Sequence, residues 1–380
     1  RRSEPQSMPR GKSRVSGGAL GGQKTKQSVM GGAAAVNTPT DQVDEAGELA
    51  PLGFLTSPNL RAPPGMEIPR LRPEEYGRAR EVLDEWGVCV FEGAASPEEL
   101  AQGEELFWQY LRRTGLGFSR DDRSSITDAR GWSKLGFMKN GVISKFGIGQ
   151  SQFLWHCRQL PGVQRAFAAM WGTDDLITSF DGAGVQRNPF LSENENWFTN
   201  TGWFHLDQNY NLEPNLECFQ GALNFFPVNE HCGSTVVVPK SHRRFQKIFQ
   251  DPTRVKDKKP MVRFDKPGDF ERHCTAAVQT VLQPGDLFIW DSRTIHCNQA
   301  CSREASRADM LPGREDALLA RLVAYICMVP RARLTPEVAL RRKEFVNLGL
   351  TGTHHPLRLP TDSYQTSRMD AAPGYHPPAK

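Results

Sequence analysis

The chain has 380 residues, 38% of them hydrophobic, and a formal charge of +4. Residues 1–65 hold eight Lys/Arg against five Asp/Glu, so +3 of that charge sits there; the near-neutral remainder excludes a broad basic field and any electrostatic case for a nucleic-acid partner. No apolar run approaches the ~18 residues of a membrane span, and eight scattered cysteines with no CxxC pair argue against a disulfide framework.

Residues 1–65 are rich in Gly, Ser, Pro and Ala and read as a disordered or targeting tail. The seven Lys/Arg and single acid within 1–40 suit an organelle transit peptide. Folding is expected from about Met66. Pro73, Glu74 and Glu75, then Tyr76, Ala79, Val82, Leu83 and Trp86 at helical spacing, predict a helix over 73–86 that Gly87 ends. Val88–Phe91 reads as a short strand. Ser96 caps a second helix, with Pro97 at its first position, that runs to Arg113. Residues 114–150 are Gly-rich and read as loops with short strands, placed to cover a site. Pro161 opens a further helix to Trp171. From Leu176 the texture changes to short β runs: 176–180, 185–187, 202–206, 219–226, 234–238, 277–282, 286–290 and 321–329. Turn residues separate them, and this spacing predicts a sandwich or barrel. The charged segment 246–274 reads as an excursion between strands, 301–317 as an inserted loop, and the Pro/His-rich tail from 351 as irregular.

The most informative run is Gly202-Trp203-Phe204-His205-Leu206-Asp207. On a strand, His-x-Asp puts imidazole and carboxylate on one face, because side chains alternate. His296 follows the turn Pro284-Gly285-Asp286 and the strong strand after it. Two imidazoles and one carboxylate with open positions opposite form the facial triad of non-haem Fe(II) oxygenases. A His-x-Asp alone is common, and His205 and His296 also read as ordinary polar residues. His242 reads as a turn residue, His231 and Cys232 fall in a hairpin turn, and His354-His355 has no partner spacing. Cys297 should face away from a ligand at His296. A zinc site from His296, Cys297 and Cys301 fits no usual spacing.

Several segments, in order, resemble the phytanoyl-CoA dioxygenase family of Fe(II)/2-oxoglutarate oxygenases. They are the stretch from Tyr76 through Trp86-Gly87-Val88-Cys89-Val90-Phe91 to Ser96-Pro97-Glu98-Glu99-Leu100; His205-Leu206-Asp207; Gln220-Gly221-Ala222-Leu223; Gly233 to Pro239-Lys240-Ser241-His242; and Pro284-Gly285-Asp286 with His296. Lys240 stands where the family usually has Gly. The resemblance spans roughly 70–330.

It implies a mainly β chain with flanking helices (α+β) around a double-stranded β-helix, a jelly-roll or cupin-like core. The dioxygenase domain would cover 66–350, with a helical part at 66–175, the β-core at 176–330 and an irregular tail at 351–380. It implies Fe(II) on His205, Asp207 and His296, with 2-oxoglutarate and O2 as co-substrates and ascorbate as reductant. Arg321, opening the last core strand, would anchor the far carboxylate of 2-oxoglutarate, for which a planar guanidinium is suited. Arg307 is the rival by family spacing. Asn298, two residues beyond His296, and Lys145 are the other co-substrate candidates. The implied reaction is oxidative decarboxylation of 2-oxoglutarate coupled to hydroxylation, or related C–H oxidation, of a small organic or lipid-like substrate. Trp197, Asn200, Trp203, Phe204 and the 130–150 loop are lining candidates. The competing readings are a non-catalytic cupin-like binding module and a Zn-dependent hydrolase on a β scaffold. The expected location is intracellular, cytoplasmic or organellar.

Overall fold

The computed structural model describes residues 67–252, 254–256 and 258–360. The expected tail at 1–65 lies outside the described residues.

The helix expected over 73–86 divides in two. Pro73–Arg78 forms a tighter 3-10 turn, and only α1 (Ala79–Trp86) is α-helical. Gly87 ends it at φ 71°, where a Cβ would stand 2.3 Å from His242 Nδ1. α2 (Pro97–Arg113) begins on a capping box: the Ser96 hydroxyl accepts from the Glu99 N–H, and the Glu99 carboxylate accepts from the Ser96 N–H. α3 (Gln152–Gln159) and α4 (Pro161–Trp171) meet at Leu160. The eight-residue α3 was not expected, because it follows a Gly-rich run and offers little periodicity. Four later helices are α5 (Phe245–Phe249), α6 (Asp269–His273), α7 (Arg307–Met310) and α8 (Pro336–Asn347).

The strands are β1 (Arg70–Leu71), β2 (Val88–Phe91), β3 (Gly136–Phe137), β4 (Val142–Ile143), β5 (Leu176–Thr178), β6 (Ala183–Arg187) and β7 (His205–Leu206). There follow β8 (Phe219–Asn224), β9 (Ser234–Val237), β10 (Val262–Arg263), β11 (Val278–Gln279), β12 (Leu287–Asp291), β13 (His296–Gln299) and β14 (Leu319–Pro330). Among the described residues they form two sheets. One has nine strands, ordered β1-β2-β12-β8-β14-β6-β4-β3 with β5 on β14; the other has five, ordered β10-β7-β13-β9-β11. The architecture is a jelly-roll of two layers, antiparallel except for the β1–β2 pair, with helices outside both: α2–α4 on the nine-stranded sheet and α5 and α6 on the five-stranded one, as the resemblance implies.

Alternation assigns each strand two faces. From β8, β12 and β14, Leu223, Leu287, Ile289, Leu322 and Ile326 point out to the helices and pack with Phe107, Phe153 and Phe167. Ala222, Phe288, Trp290 and Val323 point in, toward Val237 of the five-stranded sheet. That sheet's outer face carries Leu206, Val236 and Cys297. Phe245, Ile248, Phe249, Val262 and Phe264 cover it. The segment 246–274 is therefore no excursion: it supplies α5, α6 and the edge strand β10. Its apolar residues are too widely spaced to show a period. All eight cysteines are buried and unpaired.

Candidate metal centre

His205 and His296 face each other across β7 and β13, which pair at that register. Their ring centroids are 4.3 Å apart. The strand expected over 202–206 shrinks to His205–Leu206, so Asp207 lies just past its end rather than two places along it. The bend still turns its carboxylate to the imidazoles. Asp207 Oδ1 is 3.5 Å from His205 Nε2, and Oδ2 is 3.2 Å from His296 Nε2. One ligand atom from each residue lies within 4.8 Å of the others.

The protein orients each ligand from behind. His205 Nδ1 lies 3.1 Å from the Trp203 carbonyl and His296 Nδ1 2.9 Å from that of Thr294. A carbonyl can only accept, so both Nδ1 atoms carry the proton and both Nε2 lone pairs point at the shared centre. This is the tautomer a metal needs. The Gln220 side chain donates to Asp207 Oδ2 at 3.1 Å. Trp203 stacks on His205 at 4.8 Å and 11°, and Trp290 packs on His296. Burial, then the charge of His296, holds the His205 imidazole below its ordinary value. Burial alone would raise the Asp207 carboxyl, but His354 and the two facing imidazoles hold it well below the carboxylate range. The donor set is two imidazole nitrogens and one carboxylate, which suits a divalent iron ion.

A second cluster adjoins the first. Asn298 shares the inner face with His296, two residues away. Arg321 is 2% exposed; its Nη1 donates to Asn298 Oδ1 at 3.1 Å and its Nη2 to Thr235 Oγ1 at 2.8 Å. The Asn298 Nδ2 donates to the Tyr325 hydroxyl at 3.1 Å. No carboxylate pairs with Arg321 among the described residues, and burial pushes its guanidinium down. An orphan buried guanidinium beside a hydroxyl, an amide and a phenol fits the far carboxylate of a dicarboxylic acid.

Other candidates fall elsewhere. Arg307 opens α7 and pairs with Asp316, on the loop expected as an insertion. Lys145 sits in a turn, its carbonyl accepting from the Tyr110 hydroxyl at 2.8 Å; no hydrogen bond among the described residues joins it to either cluster. Phe204 points outward into the apolar cover, and Trp197 packs in the helix-side core with its indole N–H on Glu195. Asn200 donates to Asn140, which ties the 130–150 region to the approach to β7. Cys297 faces away, as expected. Tyr325, Gln220 and Thr235 were not anticipated. Tyr325 was readable, because it stands four residues beyond Arg321 on one strand face.

A family model described as phytanoyl-CoA dioxygenase matches residues 83–307. "Ava biosynthesis cluster protein O" of Aspergillus versicolor is 29% identical over 312 residues, covering 80% of this chain and 93% of that protein. Among solved structures, EctD from S. alaskensis with 2-oxoglutarate and 5-hydroxyectoine is 15% identical at a TM-score of 0.43, covering 71% of this chain and 87% of its own. The epimerase SnoN in complex with Fe3+, alpha ketoglutarate and nogalamycin RO is 17% identical at a TM-score of 0.43, covering 78% and 98%.

Proposed function

Since the chain belongs to the phytanoyl-CoA dioxygenase family and is a non-haem iron oxygenase, we propose that His205, Asp207 and His296 hold Fe(II) and that Arg321 anchors 2-oxoglutarate. The observation that carries this reading is the pair of tautomer-fixed imidazoles converging with Asp207 on one point. The bound group would supply oxidative decarboxylation of 2-oxoglutarate by O2, giving succinate and CO2, coupled to hydroxylation of a small organic or lipid-like substrate.

The chain's own residues position and shelter. The Trp203 and Thr294 carbonyls keep both Nε2 atoms unprotonated, and Gln220 fixes the Asp207 carboxylate. Arg321 takes the far carboxylate of the co-substrate while Thr235, Asn298 and Tyr325 hold the guanidinium in place. Trp203 and Trp290 keep water from the imidazoles.

The test incubates anaerobically purified protein with Fe(II), ascorbate, 2-oxoglutarate and O2 and measures succinate. Slow turnover without substrate is expected, and its loss in His205→Ala. Protein that binds Fe(II) but consumes no 2-oxoglutarate with any candidate substrate would make this a binding module. Activity with Zn(II) and no O2 uptake would make it a hydrolase.

A further inference from the structure

On the helix side of the nine-stranded sheet, a cavity of about 500 Å³ opens where α2, the segment after it and the approach to β14 meet. None of its lining residues belongs to the candidate metal centre or to the Arg321 cluster. The register shift between Leu319 and Arg321 turns these two side chains to opposite faces: Leu319 packs in the helix-side core, Arg321 on the inner face. Trp108, Phe226, Ala317, Leu318 and Leu319 give the cavity an apolar wall. A volume of this size takes a small organic molecule.

Two polar groups of the lining lack partners. Trp108 is 2% exposed, and its indole N–H meets no acceptor among the described residues. The Arg314 guanidinium lies over the Phe226 ring, 3.7 Å from its centroid. Its Nη2 donates to the Leu319 carbonyl at 3.1 Å, but its Nη1 is buried with no acceptor among the described residues, and no carboxylate there pairs with it. The other charges of the lining are matched. Glu104 pairs with Arg120 at 2.9 Å, Arg123 with Glu193 at 2.7 Å, and Asp316 with Arg307. Asp121 is exposed, so water satisfies it. The charge of Glu104 also reaches Arg314, against the lowering that burial imposes, but without an ion pair.

We infer that this cavity is a second anion site, separate from the metal centre, which binds the carboxylate of a small organic acid through Arg314 and Trp108. A buried N–H left without a partner costs about 1–3 kcal/mol, and more when it carries charge. A carboxylate has two oxygens that only accept, so it can answer both donors. One cation and one neutral N–H match its single charge better than the double charge of a phosphate. The ring of Phe226 and the Leu319 carbonyl fix the guanidinium and leave Nη1 as its free donor. The apolar wall takes the carbon body of the acid. Arg314 stands between β13, which carries His296, and β14, which carries Arg321, so the occupant braces the segment that joins them.

The test uses the full chain loaded with Fe(II) under anaerobic conditions, with 2-oxoglutarate in excess to fill the Arg321 cluster. Equilibrium dialysis measures binding of phenylacetate and of its neutral isostere phenylacetamide. Phenylacetate is expected to bind about tenfold tighter, the size of one charge-assisted contact. Arg314→Gln should abolish that preference and Arg314→Lys should retain part of it. Trp108→Phe, which keeps a ring and removes the N–H, should weaken phenylacetate about fivefold. Arg321→Ala, and Arg165→Gln at an exposed arginine of α4, should leave the preference whole. Thermal melts check that each variant is folded; if Arg314→Gln is not, Arg314→Met takes its place. Equal binding of the two probes, no detectable phenylacetate binding, or a preference that survives at Arg314→Gln overturns the inference. A preference lost at Arg321→Ala places the anion at the co-substrate cluster and overturns it too, while leaving the iron reading intact.

Discussion

Arg254 and Arg321 are 1% and 2% exposed, and either would be costly without partners. Arg254, in the apolar cover of the five-stranded sheet, pairs with Asp269 at 2.5 Å, donates to the Arg263 carbonyl at 2.9 Å and lies over the Phe264 ring. Arg321, on the inner face, finds a hydroxyl and an amide oxygen but no carboxylate among the described residues. The first charge is completed by the fold. The second is held in a formed but incomplete setting, which is how a protein keeps a place for an anionic ligand. On the proposed reading, the contrast separates a residue that serves stability from one that serves binding, although both are invisible from the surface.

The largest expected effect bears on the proposed metal ligands beside Arg321. His205→Ala should lower iron affinity by at least ~100-fold and end 2-oxoglutarate turnover, read by metal content and succinate release. Next, the two arginines should part ways. Arg254→Ala should cost about 1.5–3 kcal/mol of stability, by removing the buried charged bond to Asp269 and leaving that carboxylate to Arg272 and the Lys266 N–H, with the KM for 2-oxoglutarate unchanged. Arg321→Ala should do the reverse: the KM for 2-oxoglutarate should rise by about 30–150-fold, from a lost charged pair of ~2–3 kcal/mol, with no fall in Tm. Arg307→Ala should change neither. A stability loss at Arg321 with no KM effect would erase the contrast.

The cost of charge in the same interior can also be titrated. Burial, then the charges of His354 and Arg333, push the His355 imidazole down to about 3. The unfolded chain takes up that proton below ~6.5, while the folded protein resists it. Stability is therefore fully present above pH 6.5 and declines as pH falls toward 3, by about 1.4 kcal/mol per pH unit for this residue. Melting curves from pH 7.5 to 4.5 should slope less steeply in His355→Gln. The smallest effect belongs to Tyr325→Phe, which removes one neutral hydrogen bond to Asn298 and should raise the KM for 2-oxoglutarate by about fivefold, or ~1 kcal/mol. Initial rates across 2-oxoglutarate concentrations would resolve it.

Much of the candidate site was legible because its residues sit on alternating strands with local signals. His205, His296, Asn298 and Arg321 share inner faces, and a period of two suffices to group them. The same rule, applied one residue earlier, would have sent Phe204 outward and removed it from the lining candidates. Arg321 required recognising 301–317 as an insertion, since spacing alone favoured Arg307. Gln220 gave no local sign; its contact with Asp207 comes from folding one sheet over another. His354 was passed over because no partner lies near it in sequence. The segment around it returns to the body of the fold through the Gly352 N–H on the Phe180 carbonyl, a long-range closure that leaves no periodic trace. The edge strand β10 was hidden for a related reason: two residues in a charged segment are too few to pattern.

The direct pairing of His205 with His296 has one more consequence. A slip of one residue between these two strands would swing one imidazole to the opposite side, among the aromatic rings around Phe245. A mis-zipped chain would thus lose its affinity for the ion together with its sheet alignment. If these residues hold the ion as proposed, metal occupancy would report strand register, and the fraction of loaded molecules in a refolded preparation would count those that closed in the correct frame.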